Sequence, residues 1–217
     1  MTDRPSRLIV VAGTATEIGK TWVAARLLEE LRRRGATVAA RKPAQSFEPG
    51  GTATDAEVLA AASGEEAAAV CPPHRSYEVA MAPFMAAEVL ERPTFTAHDL
   101  IIELSWPPHV DVGIVESVGG VRSPISSDGA DTVDMARLLG SVLVVLVADA
   151  GLGTINAVRL AVDALHGFDV VVFLNRFDDG NELHRRNRDW LANRLHAAVF
   201  TDVGPLTDAV RGTNSRQ

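Results

Sequence analysis

Short, unbroken apolar runs recur along the chain at Leu8–Ala12, Thr37–Arg41, Val110–Glu116, Val142–Ala148, Asp169–Leu174 and Ala198–Phe200. A strand with one wet face alternates apolar and polar residues, so continuous runs of this length predict strands buried on both faces, as in a parallel sheet. Between them lie helical patterns. One starts at Lys20 and ends on Arg32-Arg33-Arg34-Gly35, a basic last turn followed by a glycine stop. Another starts at Asp55 behind a Thr54 cap, with Glu57 in its first turn. Two more cover Ala82–Glu91 and Ala97–Leu104; Pro93 breaks them and Trp106-Pro107-Pro108 ends the second. Asp131–Leu138, a segment opening near Asn156 and running through Leu165, and Glu182–Leu195 complete the set. Residues 47–54 are expected to form a mobile loop, and a frayed tail is expected from about residue 211. Strand and helix patterns alternate with no linker, repeat or low-complexity segment. The expected fold is therefore a single domain over residues 1–217, a doubly wound α/β structure with a mainly parallel sheet and helices on both faces.

Composition narrows the function. With 217 residues, 47% of them hydrophobic, the chain can bury a full core. A net charge of −7 argues against nucleic acid and anionic membranes as partners. No apolar stretch reaches membrane-spanning length, and Met1-Thr2-Asp3-Arg4-Pro5 is no signal peptide. The single cysteine, Cys71, excludes an internal disulfide and suits a reducing cytoplasm. The six histidines show no zinc-ligand spacing.

The chemistry starts at Gly13-Thr14-Ala15-Thr16-Glu17-Ile18-Gly19-Lys20-Thr21, between the first strand and the first helix. The glycines permit a tight turn with inward amide N–H groups over a helix N-terminus. Lys20 adds a point charge for the outer phosphates, and the Thr21 hydroxyl suits magnesium. Five residues separate the glycines where the common phosphate-loop spacing has four. Lys42 stands at a strand's carboxyl end, where open α/β sheets bind ligands, or is simply a lysine snorkelling at a strand terminus. Asp55 either complements its helix dipole or reaches a metal across the cleft. Glu116 ends an apolar strand, either as the metal-serving carboxylate of such proteins, which the loop upstream favours, or as a plain surface Glu at a strand end. The turn Gly151-Leu152-Gly153-Thr154-Ile155-Asn156 exposes helix-start N–H groups, a second anion site or a plain turn. Asn175 either reads a nucleobase edge or is turn chemistry, and Asn175-Arg176-Phe177-Asp178 faintly mimics the guanine signature of GTPases.

Taken together, these motifs resemble the dethiobiotin synthase family. The phosphate loop with its extra residue, Lys42-Pro43-Ala44-Gln45-Ser46, Asp55, Glu116 with Gly119-Gly120, and the Gly151–Asn156 turn stand in family order, covering the chain to about Asn175. The resemblance implies a homodimer that converts 7,8-diaminopelargonic acid, CO2 and ATP to dethiobiotin, ADP and phosphate. It implies catalytic roles for Thr16, Lys20 and Lys42. Nucleotide would be bound by Thr14, Glu17, Ile18, Gly19, Lys20, Thr21 and Asn175, and Mg2+ by Thr21, Asp55 and Glu116. Substrate contacts would come from Ser46 and Gly119, and from Gly153, Thr154 and Asn156 of a partner subunit. The sequence departs from the family at Ser117-Val118, where the family keeps Gly-Ala, and at Ala157, where histidine is frequent. Two other classes remain: a switch or partitioning ATPase, which the absence of a lysine early in the loop disfavours, and a GTP-dependent regulatory protein. A divergent synthase with another substrate is a further alternative.

Overall fold

The computed structural model describes residues 4–51, 53–140 and 142–212. Thr52, within the loop expected to be mobile, lies outside them, as do residues 213–217 of the expected tail. In chain order the elements are β1 (Arg7–Gly13), α1 (Lys20–Arg33), β2 (Val38–Arg41), β3 (Gln45–Ser46), α2 (Asp55–Ser63), α3 (Ala67–Val70), β4 (Ser76–Tyr77), α4 (Pro83–Val89), α5 (Ala97–Ile102), β5 (Val112–Glu116), α6 (Thr132–Leu139), β6 (Leu143–Asp149), α7 (Thr154–Ala164), β7 (Asp169–Asn175), α8 (Glu182–Arg194), β8 (Ala198–Phe200) and α9 (Val203–Gly212).

Six strands form one parallel sheet in the order β2-β5-β1-β6-β7-β8. The fold is thus the parallel α/β class expected. Period-two geometry splits β1 between two cores. Leu8, Val10 and Ala12 join one face with Val144 and Leu146; Ile9 and Val11 join the other with Val145 and Val147. Helix α1 closes the second face with Leu27, Leu28 and Leu31, all fully buried; truncating any one to alanine costs about 2–5 kcal/mol. The Thr54 cap on α2 is present as a full capping box with Glu57.

Two features depart from the expectation. Residues Arg211 and Gly212 are not a frayed tail but the last turn of α9, which Leu206 and Val210 anchor in the core under α1. A second, two-stranded parallel sheet pairs β3 with β4. Strands of two residues carry no readable period, so this pairing was invisible to pattern analysis. It draws the segment after Tyr77 over the carboxyl edge of the main sheet, where Phe47 N bonds Tyr77 O at 3.0 Å.

Candidate active site

The carboxyl ends of β1, β2 and β5 meet at one edge of the sheet and deliver the phosphate loop, Lys42 and Glu116 to a single cavity of about 650 Å3. Helix α1 starts at Gly19, whose φ of 94° is left-handed. A Cβ there would also lie 2.1 Å from Asn175 Nδ2, so the conformation favours glycine and any side chain at this position would displace the Asn175 amide. A Cβ at Gly13 would lie 3.0 Å from the Lys20 side chain and 2.9 Å from Ile18. No side chain caps α1, so its first N–H groups and dipole remain available to an anion. Lys20 donates to Ala15 O at 3.2 Å across the loop. Burial and then the neighbouring Lys42 hold its pKa below the usual lysine value.

Lys42 is the centre of the charge network. Its Nζ lies 2.6 Å from Glu116 Oε1, 2.8 Å from Asp55 Oδ2 and 3.3 Å from Ser117 O. Three acceptors match the three protons of an ammonium. Burial alone would lower its pKa, but Glu116 and Asp55 reverse that and hold it above the ordinary value. Burial pushes the Glu116 carboxyl up against the pull of Lys42. Burial likewise raises Asp55, but Lys42 and Thr21 more than offset it, leaving Asp55 below the usual carboxylate range. The snorkelling alternative for Lys42 does not describe this residue, which is 2% exposed.

Thr21 Oγ1 stands 2.8 Å from Asp55 Oδ1 and 2.9 Å from Glu116 Oε1. One hydroxyl proton cannot serve both carboxylates, and Glu116 Oε2 is buried with no hydrogen-bond partner among the described residues. A hard cation among these oxygens would supply what is missing. The described residues hold no group of three or more His, Cys, Asp or Glu arranged to take a metal ion by themselves; two carboxylates and a hydroxyl are the partial oxygen set that Mg2+ completes with water and phosphate oxygens.

Thr16, Glu17, Gly19, Lys20, Thr21, Lys42, Ser46, Asp55, Glu116 and Gly119 all line the cavity. Ser46 donates its hydroxyl to Met81 O. Thr14 is turned otherwise: its N–H is spent on Val147 O at 3.0 Å. Asn175 donates from Nδ2 to Ile18 O at 2.9 Å, so it touches the phosphate loop directly. Gly153, Thr154 and Asn156 begin α7 outside the cavity lining. Of the two departures from the family motif, Ser117 is 1% exposed with its hydroxyl buried, while Val118 does line the cavity. The guanine-type signature is not assembled: Arg176 donates to Glu17 O, and Asp178 accepts from Gly180 N in its own turn.

Sequence reasoning passed over Gln45, Ala80–Ala82, Ser123 and Pro124, which also line the cavity. Gln45 stood in a quoted motif, and its side chain ties Ser76 Oγ to the Ala56 N–H. The others arrive through the β3–β4 pairing and the loop after β5, where Ser123 Oγ accepts from Gly120 N at 3.0 Å.

Comparison with known proteins agrees with this geometry. The profile of the AAA domain family matches residues 7–200. The ATP-dependent dethiobiotin synthetase BioD of Haloferax mediterranei is 39% identical over 93% of this chain and 88% of its own length. The protein of the same name from Caulobacter sp. (strain K31) is 37% identical over 94% and 88%. Among solved structures, the signal recognition particle receptor FtsY of Elizabethkingia anophelis superposes with a TM-score of 0.58 at 13% identity, covering 95% of this chain and 66% of the receptor. A plasmid partition protein of Borrelia burgdorferi bound to AMPPNP gives 0.53 at 12% identity, covering 99% and 92%. Those two likenesses concern the fold alone. The extent and level of identity to the synthetases, with the phosphate loop, Lys42 and Glu116 brought to one cavity, place the chain in the dethiobiotin synthetase family of P-loop ligases.

Proposed function

We propose that the protein is an ATP-dependent dethiobiotin synthetase of the cytoplasm, which joins CO2 to 7,8-diaminopelargonic acid and closes the ureido ring at the expense of ATP. The observation that carries the reading is Lys42, a fully paired ammonium beside Lys20 in the phosphate-loop cavity of a chain from this family.

In this reading one substrate amine adds to CO2 and loses a proton, giving a carbamate. A carbamate oxygen attacks the γ-phosphorus and ADP leaves, forming a carbamic–phosphoric anhydride. The second amine then attacks the carbonyl carbon, and phosphate departs with the C–O bond electrons. Each step develops negative charge on oxygen, so positioning and charge neutralisation matter more than covalent help. Lys20 and Lys42 would flank that charge, and Thr16 would contact the transferring group. Glu116 and Asp55 beside it favour the charged form of Lys42, which suits an electrostatic part in the reaction. Thr14, Glu17, Ile18, Gly19, Lys20 and Thr21 would hold the phosphates, and Asn175 the adenine. Thr21, Asp55 and Glu116 would hold Mg2+, which when bound neutralises phosphate oxygens. Ser46 and Gly119 would contact the diamine.

The carboxylate of the substrate would meet Gly153, Thr154 and Asn156 of a second copy, since these lie outside the cavity of their own chain. The active form would then be a homodimer. Sedimentation equilibrium should report that dimer, and a fully active monomer would rule out a shared site.

The test is product formation followed by mass spectrometry. Protein, diaminopelargonic acid, bicarbonate, magnesium and ATP should yield dethiobiotin. Tight ATP binding without product would exclude this substrate and point to another amine that the Val118 side chain admits.

A further inference from the structure

A second groove, of about 450 Å3, continues from the phosphate loop around Gly19, which lines both spaces. Its other walls are Trp22, Phe173, Leu174, Asn175, Arg176, Phe177 and Thr201, of which three are aromatic. Trp22 follows Lys20-Thr21 on the first turn of α1 and is 48% exposed, so its indole is accessible from the groove that it lines. Arg26, one turn further along, holds its guanidinium 5.7 Å from the Trp22 ring centroid, which leaves one face of the ring for a ligand.

The polar edge of the groove is equally selective. Asn175 spends one N–H on Ile18 O; its second N–H and its Oδ1 make no hydrogen bond among the described residues. A donor beside an acceptor on one amide is the pattern that pairs with the N7 and N6 edge of adenine. The guanidinium of Arg176, which would suit guanine O6, is occupied at Glu17 O (2.9 Å) and by Asp149 (3.5 Å).

We propose that Trp22 is a specificity-determining residue of this protein, the stacking platform on which the nucleobase of ATP lies while Asn175 reads its edge. The proposal rests on the nucleotide-binding part of the reading above and not on the identity of the amine. A planar purine whose phosphates occupy the loop reaches this groove because both are built on Gly19. Stacking contributes through contact area, so Trp22 favours purine over pyrimidine nucleotides, and Asn175 favours adenine among purines.

The test is titration calorimetry on the purified full chain with magnesium and no diamine or CO2. The probes are ATP, CTP and inorganic tripolyphosphate, applied to the wild type, Trp22→Ala and Trp22→Phe. Trp22→Ala should bind ATP about tenfold more weakly, bind tripolyphosphate unchanged and keep only the part of its preference for ATP over CTP that Asn175 supplies; Trp22→Phe should recover most of the ATP affinity. Unchanged ATP affinity in Trp22→Ala overturns the proposal. So does an equal loss for tripolyphosphate, which would make Trp22 a support of the loop rather than a base platform. A wild-type chain that shows the expected pattern yet makes no dethiobiotin would refute the synthetase reading and leave this one standing.

Discussion

Lys42 Nζ lies 2.6 Å from Glu116 Oε1, and both side chains are almost wholly buried. Neither residue could be buried alone without a large desolvation cost, and each is the counter-ion of the other. Lys42→Ala would therefore leave Glu116 charged and unpaired, or force it to take up a proton. The expected result is a loss of about 3–5 kcal/mol in stability by urea denaturation, with ATP binding retained and dethiobiotin formation lost. Adding Glu116→Gln to that variant should restore part of the stability and none of the activity. Unchanged product yield in the single variant would remove Lys42 from the mechanism.

Lys20→Ala should act on turnover instead. Among the described residues the Lys20 ammonium hydrogen-bonds to Ala15 O and pairs with no carboxylate directly, so its removal leaves no carboxylate stripped of a partner. The phosphate charge it would neutralise is left uncompensated, and kcat should fall by about 100- to 1000-fold. Near-normal rates would show that the loop does not take part in the reaction.

Gly19→Ala tests the loop geometry. A methyl group at φ 94° is strained and would sit 2.1 Å from Asn175 Nδ2. The hydrogen bond from Asn175 to Ile18 O must then break, and ATP affinity measured by calorimetry should fall by tenfold or more. An alanine variant with wild-type affinity would mean that the loop reshapes on binding.

Cys71 gives a pH-dependent reading. Burial pushes its thiol up to about 12, so at pH 8 the side chain is almost entirely the unreactive thiol. Labelling by iodoacetamide at pH 8 should be absent in the native protein and become fast once urea unfolds it. Rapid native labelling would show that the α3 region opens readily.

Much of this was legible from residue order because the determinants are local. Strands buried on both faces leave unbroken apolar runs, as in Val144–Val147, and the Thr54–Glu57 capping box lies within four residues. The phosphate loop is a contiguous motif whose backbone path follows from Gly13 and Gly19. Strand ends are legible for the same reason, so Lys42 and Glu116 could be placed at the carboxyl edge before any contact was known.

Other features are contacts between distant positions, which no local period encodes. Asn175 meets Ile18 and Arg176 meets Glu17 across more than 150 residues. The two-residue strands β3 and β4 bring Met81 over the cavity, and α9 packs on α1 from the far end of the chain. The strand order decides these meetings, since β7 lies two strands from β1 and its exit loop reaches the phosphate loop. By itself the sequence determined the fold class, the phosphate loop and the residue types of the charge network. Only the tertiary structure decided that Lys42 sits fully paired between Asp55 and Glu116, and that Gly153, Thr154 and Asn156 lie outside their own chain's cavity. Burial and electrostatic pairing depend on where the strand ends converge in space, and that is a property of the assembled sheet.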